Sequence, residues 1–140
     1  MLRVTVAAVL PVRLRFVPAP YLAGLARVEL VVDEGQAADD TGGVAEGIGD
    51  LDWRSCTVCR VAVIEHVRVD DRALRGQPLR RNGYGTLLVR AVLATAPTFS
   101  WSTTVVTSAA AAAFWASVGS IDRHVPVYCP HMRADLGEVD

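Results

Sequence analysis

Apolar and polar residues alternate at short range through the first half of the chain and gather at helical spacing in the second. Leu2–Val9 and Val12–Val17 are two alternating runs split at Leu10-Pro11, the pattern of a strand pair that Pro18 and Pro20 should end. Tyr21–Val32 fits two periods. Leu22, Leu25, Val28 and Val32 suit a helix, whereas Val28, Leu30 and Val32 suit a strand, and the strand reading is preferred for the second half. Gly35–Asp52 holds five glycines and no regular period, so a loop is expected. Cys56–Val69 reads as one strand, with Val61, Val63, Val67 and Val69 on a single face interrupted only by Glu65. After the polar connection Asp70–Leu79, the stretch Thr86–Ala96 is an apolar helix that stops before Pro97. Phe99–Val106 alternates again. Ser108–Val118 is an alanine-rich helix with Ser108 or Thr107 as N-cap and Gly119 as its stop. Val125–Cys129 closes the pattern as a short strand, and Leu136–Asp140 should fray. The order is a β-rich first half, then β-α-β-α-β.

Composition narrows this picture. A chain of 140 residues supports one domain with a real core. A net charge of −1 and the lack of a basic run argue against nucleic acid as a partner. No apolar stretch approaches the roughly 20 residues of a membrane span, and Arg3, Pro11, Arg13 and Arg15 interrupt any signal-peptide core, so the expected compartment is the cytoplasm with no membrane partner. All 14 basic residues are arginine, which excludes a lysine nucleophile. Three cysteines are an odd count, which argues against a disulfide framework. Cys56 and Cys59 form a C-x-x-C, and Cys129 lies near His131. On an extended strand Cys56 and Cys59 point to opposite faces and cannot share a metal, so the expectation is core cysteines and no metal site. Glu29, Asp33, Glu34, Asp39, Asp40, Glu46, Asp50 and Asp52 make the region between Arg27 and Arg54 uniformly acidic.

The segment Arg80-Arg81-Asn82-Gly83-Tyr84-Gly85-Thr86 carries the chemistry. Glycines at a helix start let the backbone approach a ligand, the unpaired N–H groups of the first turn point outward, and two arginines add charge. That is the outline of a phosphate site. A Walker loop is excluded because it needs lysine, and a dinucleotide fingerprint needs a small residue where Leu88 stands.

These residues resemble the GNAT superfamily of acyl-CoA N-acyltransferases. Arg80–Gly85 resembles that family's Q/R-x-x-G-x-G/A signature, Glu65–Asp70 the end of its fourth strand, and Ser108, Ala111, Phe114, Trp115 and Gly119 its N-x-x-A-x-x-F/L-Y-x-x-x-G helix. The resemblance spans roughly Arg60 to Ser120. It implies an α/β (α+β) fold: a mixed, mostly antiparallel central sheet with splayed fourth and fifth strands, flanked by helices. It implies a single N-acetyltransferase-like domain over 1–140, with 1–55 as a short acceptor-side part and 56–130 as the cofactor-binding core. The implied cosubstrate is acetyl-CoA, held by Val67, Arg68, Val69, Arg80, Arg81, Asn82, Gly83, Tyr84, Gly85, Thr86 and Ser108. The implied reaction transfers acetyl to a primary amine of a small cationic molecule or peptide, with Glu65 as general base and Tyr128 as acid; a homodimer is compatible with it. Glu65 suits the base because it is the one carboxylate on an otherwise all-valine face. Trp115 stands where the family often has an acidic tyrosine, and the region before the fourth strand is short, which favours the alternative of a degenerate acyl-CoA-binding sensor or assembly module.

Overall fold

The computed structural model describes residues 10–22, 25–33, 46–80 and 83–137. Four strands form an antiparallel meander in chain order: β1 (Val12–Leu22), β2 (Leu25–Val32), β3 (Glu46–Cys56) and β4 (Val61–Val69). A two-residue pair follows, β5 (Ala73–Leu74) with β6 (Gln77–Pro78), and then helix α1 (Tyr84–Leu93). Strand β7 (Ser100–Thr103) returns to lie parallel to β4, completing a five-stranded sheet of order β1-β2-β3-β4-β7. Helices α2 (Ala109–Val118) and α3 (Pro130–Asp135) come last. The result is a mixed α+β fold with a mostly antiparallel sheet flanked by helices.

The two sheet faces differ because the side chains alternate. Val28, Leu30, Val32, Leu51, Ala62 and Ile64 lie on one face and bury against Leu88, Val89 and Val92 of α1. The opposite face carries a ladder of cross-strand ion pairs: Arg13–Asp33 at 2.9 Å, Arg15–Glu29 at 2.7 Å, Arg27–Asp52 at 2.7 Å and Arg68–Asp50 at 2.9 Å. At the Cys56 end of that face a small second cluster, Cys56, Val63, Cys129 and Met132, docks α3.

Several expectations are corrected. The run Leu2–Val9 lies outside the described residues. β1 does not end at Pro18 but continues to Leu22, with a register shift after Val17; an edge strand tolerates proline because one row of its N–H groups needs no partner. The expected loop Gly35–Asp52 gives way to strand from Glu46 onward. Its period was hidden because Gly49 pairs with Leu30 and Gly47 with Val31, leaving Ile48 as an extra residue that shifts the alternation. A Cβ at Gly49 would lie 2.8 Å from Arg68 O, so the close crossing of β3 and β4 requires glycine there. Cys56–Val69 is not one strand. A turn over 57–60 separates β3 from β4, closed by Arg60 N–H to Cys56 O at 2.8 Å, with Arg60 in the left-handed region at φ 57°. Phe99–Val106 contributes only four residues of ladder, and α1 stops at Leu93. Val125–Cys129 runs without a ladder. Val127 N–H donates to Ser102 Oγ at 3.0 Å, and Pro130 then starts α3.

Candidate functional site

β4 and β7 are in register only from Val61↔Ser100 to Ile64↔Thr103, and the contact ends with Thr104 N–H donating to Ile64 O at 3.2 Å. β7 is drawn away on its far side, where Asp122 N–H bonds Trp101 O and Thr103 N–H bonds Arg123 O, both at 3.0 Å. β4 continues from Glu65 to Val69 with no ladder partner on that edge among the described residues. Into this opening fits a cleft of about 780 Å³, walled by Glu65, His66, Val67 and Val69, by the start of α1, and by the segment from Thr104 to the first turns of α2.

The cleft collects most of the residues that the sequence singled out. Val67, Val69, Arg80, Gly83, Tyr84, Gly85, Thr86 and Ser108 all line it. Arg81 and Asn82 lie outside the described residues. Arg68 points to the opposite sheet face, where it binds Asp50 at 2.9 Å and also Asp70. Gly83 is the N-cap of α1 with φ 78°, no side chain caps the helix, and its first turn holds no acid. The first intrahelical bond is Leu87 N–H to Gly83 O at 2.9 Å, so the N–H groups of Tyr84, Gly85 and Thr86 are left at the cleft wall. The two glycines do different work. Gly83 supplies a left-handed backbone, and among the described residues other than its chain neighbours none has a heavy atom within 4 Å of where a Cβ would stand. Gly85 is small because of the protein itself: a Cβ there would lie 2.7 Å from Phe114 of α2. Ser108 caps α2 by accepting Ala111 N–H at 3.1 Å.

Glu65 stands at the inner end of the free edge, and its surroundings correct the all-valine face. Asp52 pairs with His66 and Trp53 with Ile64, so Glu65 is the extra residue of a β-bulge. The bulge switches sides. Ala62 and Ile64 face the α1 core before it, Val67 and Val69 after it, while Val63 packs beside Cys129 on the other face. Glu65 is therefore not solitary: Tyr128 O–H donates to its Oε1 at 2.7 Å, and Arg54 Nε is 3.3 Å from the same oxygen. The structure thus joins Glu65 with Tyr128, although Tyr128 does not line the cleft. Arg54 was missed, because only the β3–β4 register reveals it as Glu65's neighbour. His66 lines the cleft and its Nε2 is 3.6 Å from Asp50 Oδ1.

The approach to Arg80 is anchored by Asp70 at the end of β4. Burial pushes its carboxyl up, but hydrogen bonds from Arg72 and Arg68 outweigh this and hold it below the usual carboxylate range. Arg72 also binds Glu46 at 2.5 Å, tying the β5–β6 segment to the start of β3. The described acids of the early region are accordingly each engaged by an arginine; Glu34, Asp39 and Asp40 lie outside the described residues. No helix among the described residues is long and apolar enough to cross a membrane.

No protein-family model matches the chain, and no curated protein sequence matches it significantly.

Proposed function

We propose that this protein is a GNAT-type N-acetyltransferase that moves an acetyl group from acetyl-CoA to a primary amine of a small cationic molecule or peptide. One observation carries the reading: the β4 edge from Glu65 to Val69, which has no ladder partner among the described residues, runs in a single cleft to an α1 N-terminus that has no acidic cap and has Arg80 beside it. An extended polar arm is matched by a strand edge, and a pyrophosphate by a helix N-terminus with an arginine. Arg80 and the N–H groups of Tyr84, Gly85 and Thr86 would hold the phosphates, and the β4 main chain would hold the pantetheine arm. Bound acetyl-CoA supplies the thioester. Glu65 would take the proton that the attacking amine must lose, and Tyr128, behind the cleft wall and hydrogen-bonded to that carboxylate, would supply a proton to the departing sulfur by way of it. The preference for a cationic acceptor rests on the acidic run of the sequence between Arg27 and Arg54, whose described acids each pair with an arginine.

The test is calorimetric. Acetyl-CoA should bind the wild-type chain, and Gly83→Asp should abolish binding by putting a carboxylate before the helix while the fold persists. Unchanged affinity in a folded variant would refute the cradle. A second reading, an acyl-CoA-binding module without turnover, is favoured by the engagement of Glu65 by both Arg54 and Tyr128. Thiol release from acetyl-CoA across an amine panel separates the two, because a module would bind without releasing thiol.

A further inference from the structure

The C-x-x-C that an extended strand would have split is folded over a tight turn, and the turn brings both sulfurs to one point. Cys56 ends β3, and the Cys59 backbone N–H donates back to Cys56 Sγ at 3.5 Å. Some seventy residues later the ladder-free segment after Val127 delivers two more donors to the same place, Cys129 at the N-cap of α3 and His131 in its first turn. His131 Nδ1 lies 3.4 Å from Cys59 Sγ, 3.6 Å from Cys56 Sγ and 4.0 Å from Cys129 Sγ. All four ligand atoms lie within 4.8 Å of one another.

We propose that Cys56, Cys59, Cys129 and His131 form a structural zinc site that fastens α3 to the β3–β4 turn. The three sulfur–nitrogen distances, 3.4, 3.6 and 4.0 Å, bracket that of a tetrahedron around one ion. With Zn–S near 2.3 Å and Zn–N near 2.0–2.1 Å, tetrahedral angles put sulfur and nitrogen about 3.5 Å apart and two sulfurs about 3.8 Å apart. The donor set selects the metal: three thiolates and an imidazole suit zinc, whereas magnesium and calcium require oxygen. Four protein donors close the coordination sphere, so the site is structural and keeps no position for substrate. All three thiols are free, and no disulfide competes for them. Zinc binds three thiolates and the neutral imidazole through Nδ1, and three thiol protons leave to solvent as it does so. The Cys59 N–H to Cys56 Sγ bond then stabilises a coordinated thiolate. Among the described residues the second cluster has Cys56, Val63, Cys129 and Met132 as its buried members, with Val61 and Tyr128 partly buried against them, a small apolar area to hold a six-residue helix in place. The ion supplies what that area lacks. It also fixes Tyr128, one residue before a ligand, at 2.7 Å from Glu65.

The full-length chain, expressed with zinc and purified under reducing conditions, should carry about one zinc per chain by elemental analysis. Replacement with cobalt should give the intense visible absorption of tetrahedral thiolate coordination. Cys59 and His131 are exposed, so Cys59→Ala and His131→Ala remove a ligand without opening a cavity. Each should weaken zinc binding by more than about 100-fold, beyond the 10–100-fold typical of losing a mere supporting hydrogen bond. A chelator should lower the melting temperature of wild type and leave that of His131→Ala unchanged. Absence of zinc from protein offered it in reduced form, octahedral cobalt spectra, iron in place of zinc, or a zinc content in either variant equal to that of wild type would each overturn the site. The cobalt spectrum of wild type decides the matter even if a variant does not fold.

Discussion

Glu65 shows how one inserted residue changes the meaning of a side chain. Read along the strand, it belongs among valines; placed by register, it is the bulged residue between Tyr128 and Arg54. If it is the base, Glu65→Gln should lower turnover by roughly 10²–10⁴-fold at neutral pH, with acetyl-CoA affinity nearly unchanged. Steady-state kinetics beside calorimetry check this, and turnover within a few-fold of wild type would move the role elsewhere. Gly85 makes a second residue-scale case, where a motif glycine serves packing. Gly85→Ala should cost about 1–3 kcal/mol through overpacking against Phe114. Thermal or denaturant unfolding would register the loss, and the double variant with Phe114→Leu should recover part of it. No recovery would mean that the glycine's smallness serves something other than Phe114.

Elements were legible in the sequence where a single period ran uninterrupted. α1 and α2 fall within two or three residues of their expected bounds, because an apolar stripe, Gly83, Ser108 and Gly119 mark their ends. β3 was not legible, since its bulge at Ile48 breaks the alternation and its glycines read as loop. α3 was hidden by its shortness and β7 was overextended: Val105 and Val106 keep the alternating pattern after the ladder has stopped at Thr103. The α1 end of the cleft, Arg80 and Gly83 to Thr86, could be named in advance from its glycines and arginine, whereas Arg54 and the convergence of three cysteines with His131 could not, because both depend on turns and register. The capping of α2 tests whether Ser108 has a role beyond its helix. Ser108→Ala should destabilise the fold by about 1 kcal/mol, the usual cost of a lost N-cap, and leave acetyl-CoA affinity within twofold. Calorimetry and melting curves on one sample measure both, and a large affinity loss would assign the hydroxyl to the ligand.

At the scale of the whole molecule, the sheet divides into a local meander and one distant recruit. β1 to β4 join neighbours in sequence, while β7 reaches β4 across α1 and holds it over only four residue pairs. Contacts between near neighbours close quickly and distant ones slowly, so the meander should assemble first and β7 should dock late. The opening between β4 and β7 therefore lies at the seam formed last and torn first. A ligand spanning that seam makes its contacts after the folding barrier, so its stabilisation should appear as slower unfolding with an almost unaltered folding rate. Stopped-flow chevrons with and without saturating acetyl-CoA would read this directly: the unfolding limb should drop and the folding limb should stay. Acceleration of folding by the ligand would mean that β7 is already in place at the barrier. If acetyl-CoA is that ligand, the protein's lifetime against proteolysis in a cell would depend on the supply of acetyl-CoA, and its abundance would follow that supply without any change in synthesis.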